Sequence, residues 1–241
     1  MNQGYLEQQS KQINQATRKR LLGALIAYIC IIAVLYVLLK DSFDFNDPSS
    51  RQVFGYAAVF TVIMMIAIVV GLFKSSRTAV NGRNLILPFD ENTKEAVGRM
   101  IDQEAAEGKI QVEEYIYHFE EGKKPYGERV VLLPSYLLLV GHGNKITAIP
   151  RDKIYWICAQ VGHKGGSFRV QLLIFTEKKI FNMVGVDIEH VQNIADKIYQ
   201  YIPNIFSDYD TFTLSYELEK LYAANRTEFL NFYENEKKKR T

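Results

Sequence analysis

Hydrophobic and polar positions divide the chain into two regions of different period. Residues 21–39, LLGALIAYICIIAVLYVLL, and residues 55–73, GYAAVFTVIMMIAIVVGLF, contain no charged side chain. At about 1.5 Å rise per helical residue, each run reaches roughly 28 Å, close to the ~30 Å hydrocarbon core of a bilayer. The pattern predicts two transmembrane helices, 21–39 and 55–73, joined by a short loop, 40–54, as an antiparallel hairpin. Lys40-Asp41 follows the first run where a signal peptide would place small residues for cleavage, so the run is expected to stay in the protein.

From residue 74 the pattern changes. Residues 74–88 contain Ser75, Ser76, Asn81, Gly82 and Pro88 and read as a linker. In 90–108, Val97, Ile101 and Ala105 recur at spacing four, with Asp90 or Asn92 to cap the helix and Gly108 to end it. Alternation then predicts strands at 110–119, 129–133, 136–140, 145–149, 154–161, 168–176 and 179–184, separated by Gly, Pro and Ser turns. Val191, Ile194, Ala195, Ile198 and Ile202 return to helical spacing over 188–202, and Pro203 stops the helix. A last amphipathic segment runs from Leu214 to about Lys237. The domains expected are a 1–20 N-terminal segment, the two spans, a 74–109 linker and helix, a 110–206 β domain, and a 207–241 helix with a basic tail.

Seven successive strands followed by one helix predict an α+β chain whose soluble part is an antiparallel β-sandwich or barrel capped by a C-terminal helix. The stretch LLPSYLLLVGHGNKITAIPRDKIYWICAQ, 132–160, resembles bacterial pleckstrin-homology-like (PH-like) domains in its reading order. Tyr136 lies on one strand, Ile149-Pro150 closes the next, and Asp152-Lys153-Ile154-Tyr155-Trp156 opens a third. The resemblance covers 110–206, where the helix ends in Ile202-Pro203-Asn204-Ile205. The whole chain resembles uncharacterised bacterial membrane proteins that pair two spans with a cytoplasmic PH-like domain. That likeness implies an interaction or lipid-surface module rather than an enzyme.

Charge changes the picture in two ways. Lys and Arg total 29 against 27 Asp and Glu, a net charge of +2, which gives nucleic-acid binding no support. The basic residues are also unevenly placed. Lys11, Arg18, Lys19 and Arg20 precede the first run, and Lys74, Arg77 and Arg83 follow the second. The loop between has Lys40 and Arg51 among Asp41, Asp44 and Asp47. Positive residues stay on the cytoplasmic side. A multi-pass protein of the cell (plasma) membrane with both termini cytoplasmic is therefore expected.

Candidate chemistry is sparse. Lys123, Lys124 and Arg129 flank the first hairpin loop, where PH-like domains hold anionic headgroups, but Glu120, Glu121 and Glu128 dilute their charge. Lys164 lies in the glycine-rich turn 162–166. Lys237, Lys238, Lys239 and Arg240 form the one basic block, with reach to an anionic leaflet. These are the candidate anion or lipid contacts. Gly23 with Ala27, and Ala67 with Gly71, sit four apart in the apolar runs and suit close helix packing. Cys30 and Cys158 suit no disulfide framework, and the four scattered histidines suit no metal site. No catalytic or cofactor motif is present, so no enzymatic activity and no cofactor are expected.

The sequence thus reads as a membrane-anchored interaction or scaffold module. Its partners would be the lipid bilayer and either a protein or a second copy of itself, with no nucleic acid. Sensing of an anionic lipid or ligand is the alternative, and an enzyme whose site the sequence hides is the second.

Overall fold

The first polar segment and the first apolar run form one helix. In this computed structural model, residues 4–39, 47–76, 84–89, 92–117, 127–164 and 167–240 are described. Helix α1 spans Tyr5–Leu39. Its first half carries Glu7, Lys11, Arg18, Lys19 and Arg20, and its second half is the apolar run. Helix α2, Pro48–Ser76, opens with proline at a position where its missing N–H costs nothing. The Asp47 side chain accepts from Ser50 N at 3.0 Å and caps the helix.

The chain divides into two compact units, Lys11–Ala79 and a second made of Met1–Ser10 with Val80–Thr241. Within the first, Tyr28 donates to Thr61 Oγ1 at 3.2 Å, and the Leu21 side chain lies against Gly71. Most other side chains of α1 and α2 in this unit are exposed and apolar, among them Ile26, Ile29, Val59, Phe60 and Ile63.

Two expectations fail here. Among the described residues, one helix is long and apolar enough to cross a membrane, Ser50–Gly71 within α2. The run 21–39 is the end of a helix that begins with charged residues, and its side chains at 36, 38 and 39 lie outside those described. The two-helix transmembrane hairpin therefore does not hold. With it fall the likeness to two-span membrane proteins and the multi-pass topology with both termini cytoplasmic.

The closed PH-like barrel is the second correction, because the strands form two open sheets. One sheet has five strands in the order β1-β5-β4-β3-β2. These are β1 (Leu85–Ile86), β2 (Val112–Tyr115), β3 (Arg129–Leu132), β4 (Tyr136–Val140) and β5 (Ile146–Pro150). Strands β2 to β5 are an antiparallel meander, and β1 adds in parallel beside β5. The other sheet holds three antiparallel strands, β6 (Ile154–Lys164), β7 (Ser167–Thr176) and β8 (Ile180–Gly185). Helix α3, Lys94–Ala106, precedes β2 and is capped by Thr93, whose hydroxyl accepts from Ala96 N. Helices α4 (Ile188–Ile198), α5 (Thr211–Ala224) and α6 (Arg226–Arg240) follow β8.

Apolar alternation decides what each layer covers. On β7, Leu172 and Ile174 point into the core between the sheets, where they meet Val130, Leu132, Leu137, Leu139 and the α4 face Val191, Ile194, Ala195 and Ile198. Burying each such isoleucine contributes about 2–3 kcal/mol. Leu173 and Phe175 point the other way, into an aromatic core with Trp156 of β6, Phe206 from the segment before α5, Tyr222 of α5 and Phe229 of α6. The Trp156 indole N–H finds Asn204 Oδ1 at 2.9 Å. The three-stranded sheet is thus buried on both faces, which explains the continuous apolar run of β7.

The corner where β8 meets β2 admits only glycine. A Cβ on Gly185 would lie 2.6 Å from Val191 Cγ2 and 3.3 Å from Ile116 Cγ2. The outward backbone of the edge strands is also occupied. The hydroxyls of Tyr199 and Tyr216 donate to the carbonyls of Ile157 and Val161 on β6, and His190 Nε2 lies 2.7 Å from the Tyr115 carbonyl on β2. Groups so engaged offer no template for pairing with another chain.

Candidate functional site

Three turns meet at one end of the domain. The β3 strand starts at Glu128-Arg129, the β4–β5 turn covers 141–145, and the β7–β8 turn covers 177–179. Gly141 adopts φ 91°, and a Cβ there would press on the Glu128 backbone at 3.3 Å, so the turn requires glycine. This geometry puts His142 Nδ1 3.9 Å from Glu128 Oε2. The Glu128 carboxylate raises the His142 pKa above its ordinary 6.5, with burial and the nearby Lys179 charge opposing it. Lys145, Lys178 and Lys179 are exposed around this pair. Lys179 lies over the Phe181 ring at 4.5 Å, and Lys178 lies 5.4 Å from the Phe89 ring centroid. Glu177 is engaged by Lys153 at 3.1 Å. The rim is a mixed surface of exposed lysines and the exposed Glu177.

The sequence candidates are scattered by comparison. Lys123 and Lys124 lie outside the described residues. Arg129 is buried, 3% exposed, and its Nε meets Glu113 Oε1 at 3.1 Å, with the guanidinium over the Tyr115 ring. It supports the sheet and presents no charge to a ligand. Lys164 closes β6 opposite Ser167, and its side chain lies outside those described. The basic block forms the last turn of α6, where cations complement the helix dipole. Lys239 meets Glu236 at 2.5 Å, and Arg240 binds Asp208 at 2.7 Å and Ser207 Oγ at 2.8 Å. Lys237 stands over the Tyr233 ring, and Lys238 is exposed. Of the small residues proposed for packing, Gly71 meets Leu21, while Gly23, Ala27 and Ala67 are exposed.

Lys145, Lys178 and Lys179 escape a reading of the sequence, in which Lys178 is turn chemistry and Lys145 and Lys179 open strands. Yet in an antiparallel meander alternate turns fall at the same end. Counting strands from β4 places 141–145 beside the start of β3.

A groove of about 310 Å³ runs beside α4, lined by Glu114, His190, Asn193, Asp196, Lys197 and Gln200. Lys197 binds Glu114, and Gln192 donates to Asp196 at 2.8 Å. Ile194 adds an apolar patch to the lining. Among the described residues, no group of three or more His, Cys, Asp or Glu is arranged to hold a metal ion. Burial raises the Cys158 thiol well above its usual range, and the group sits in the aromatic core, where it behaves as a small apolar side chain.

No family model, no curated protein and no solved structure matches the chain.

Proposed function

We propose that the protein is a membrane-associated binding module. In this reading α2 sits in the bilayer and the α+β domain is held at the surface, where its cationic rim takes an acidic protein partner. The observation that supports it most is the state of α2. Only 6% of its most apolar window is buried, so the helix carries an apolar surface that none of the described residues covers. Exposure on that scale in water is a strong liability, and a bilayer removes it. Tethering then raises the effective concentration of the domain for any partner at the same surface. In this reading the domain acts by contact rather than catalysis.

Crosslinking of the full chain in its native membranes, followed by purification in mild detergent, tests this reading. A stoichiometric partner is expected, lost when Lys178→Glu and Lys179→Glu are combined and retained when Lys238→Glu, at another exposed lysine, is introduced. Recovery of the same proteins with both variants would remove the rim from the reading.

Contact of the domain with anionic headgroups is the second reading. The α6 terminus favours it, because Arg240 fixes a basic helix end to Ser207 and Asp208 instead of leaving it as a loose tail.

A further inference from the structure

Helix α4 turns one flank toward the edge strand β2. His190, Asn193, Lys197 and Gln200 recur at helical spacing, so they form a stripe beside the buried face of the helix and its end. That buried face, Val191, Ile194, Ala195 and Ile198, fixes α4 in the core between the sheets. The Asp187 carboxylate accepts from Glu189 N at 3.0 Å and caps the helix start. Across from the stripe, β2 supplies Glu114, held in register with Val130 of β3. His190 Nε2, 2.7 Å from the Tyr115 carbonyl, ties the first turn of α4 to β2. The groove of about 310 Å³ is thus walled by two fixed elements, and all its lining residues are among those described. Walls set in this way make a preformed site.

Volume and charge narrow what would fill it. About 310 Å³ lies at the small end of ligand cavities, the scale of an amino acid rather than of a lipid. The lining carries both signs of charge, Glu114 and Asp196 against Lys197, together with the amides of Asn193 and Gln200. The Lys197 ammonium rests on the Glu114 carboxylate, with side chains 53% and 27% exposed. A pair so open to water contributes little to stability, so a ligand opens it at small cost. A zwitterion replaces this one ion pair by two, its ammonium on Glu114 and its carboxylate on Lys197. An anion would gain Lys197 and leave Glu114 without its cation. A cation would gain Glu114 and leave Lys197 without its anion. A polyol would use the amides alone. Asp196, which accepts from Gln192 at 2.8 Å, and the two amides then face the rest of the ligand, where polar atoms suit them.

We propose that the groove between β2 and α4 binds a free amino acid with a polar side chain, its charged ends held by Glu114 and Lys197. The inference is independent of the membrane-associated reading. It needs neither α2 in a bilayer nor a partner at the rim.

The test is equilibrium dialysis of the full chain, purified in mild detergent, against radiolabelled L-glutamine, L-serine and L-glutamate, with labelled sorbitol as the control. Saturable retention of at least one amino acid, and none of sorbitol, is expected. For L-glutamine, competition by N-acetyl-L-glutamine, which lacks the ammonium, and by L-glutaminamide, which lacks the carboxylate, should each be weaker than self-competition by about tenfold or more. The same comparison applies to whichever amino acid is retained. Lys197→Met and Glu114→Gln should each weaken retention about tenfold, whereas Lys220→Met, at an exposed lysine of α5, should leave it unchanged. Retention of none of the three amino acids overturns the proposal. Equal competition by the acetylated or amidated form overturns the two-ended recognition, and unchanged retention by both groove variants overturns the location. Should either groove variant fail to fold by circular dichroism, the analogue comparison on the unaltered protein still decides.

Discussion

Arg129 shows how far a residue's sequence neighbourhood misleads. Beside Lys123 and Lys124 it reads as a cation at the start of a strand with reach to an anion, yet register pairs Tyr115 with Arg129 and turns the guanidinium toward Glu113. Tyr5 lies in the same cluster, and its burial there raises the phenol's pKa. Arg129→Ala should lower stability by about 1–2 kcal/mol in thermal or urea unfolding, because it removes a buried guanidinium from Glu113 and from the Tyr115 ring. Glu113 is partly exposed, which keeps the loss below that of a fully enclosed pair. Gly185→Ala should destabilise by about 1–3 kcal/mol, since the added methyl meets Val191 and Ile116 in a filled corner. His142 should titrate above 6.5 by NMR, and Glu128→Gln should bring it down. A raised folded pKa means that its stabilising contribution is complete below about 6.5, where the unfolded chain is protonated too. The contribution fades as pH rises through the folded value. None of these pairings is written in local spacing, because each joins residues from different strands or turns.

At the scale of elements, periodicity carries the middle of the chain well. Residues 136–140 form β4 with the bounds expected of them, and the stripe Val191-Ile194-Ala195-Ile198 is the buried face of α4. Leu85–Ile86 reads as linker because two residues are too few to show a period. They become a strand only because β5 offers an edge. The segment after Leu214 reads as one helix. It is two, since Asn225 leaves helical geometry at the end of α5 and its side chain accepts from Glu228 N to start α6. The start of α1 is equally hidden. Leu6 N donates to Asp102 Oδ1 at 2.8 Å, so a carboxylate from α3 caps a helix far away in sequence. Asp102→Ala should speed hydrogen exchange of the amides of Leu6 to Ser10 and cost about 1 kcal/mol. Unchanged exchange there would mean that Asp102 does not hold the helix start.

For the whole molecule, the sequence conveys the separation of apolar helices from an α+β domain but overstates how many helices qualify as spans. It also suggests a PH-like sandwich or closed barrel where two open sheets stand. A run of uncharged residues reports composition. Whether it forms a helix of its own depends on what precedes it, and in α1 that is a charged half-helix. Strand alternation likewise reports which face is buried. It does not report whether the last strand returns to the first, and here Gly185 brings β8 against Ile116 without joining the sheets.

The central claim, that α2 holds the protein to a membrane, is tested most directly by extraction of the full chain from its native membranes at high salt and alkaline pH. The protein is expected to stay in the membrane pellet and float with lipid on a density gradient, and two arginines replacing Ile63 and Ile66 should release it. Complete recovery of the unaltered protein in the wash, with no lipid flotation, would contradict the claim.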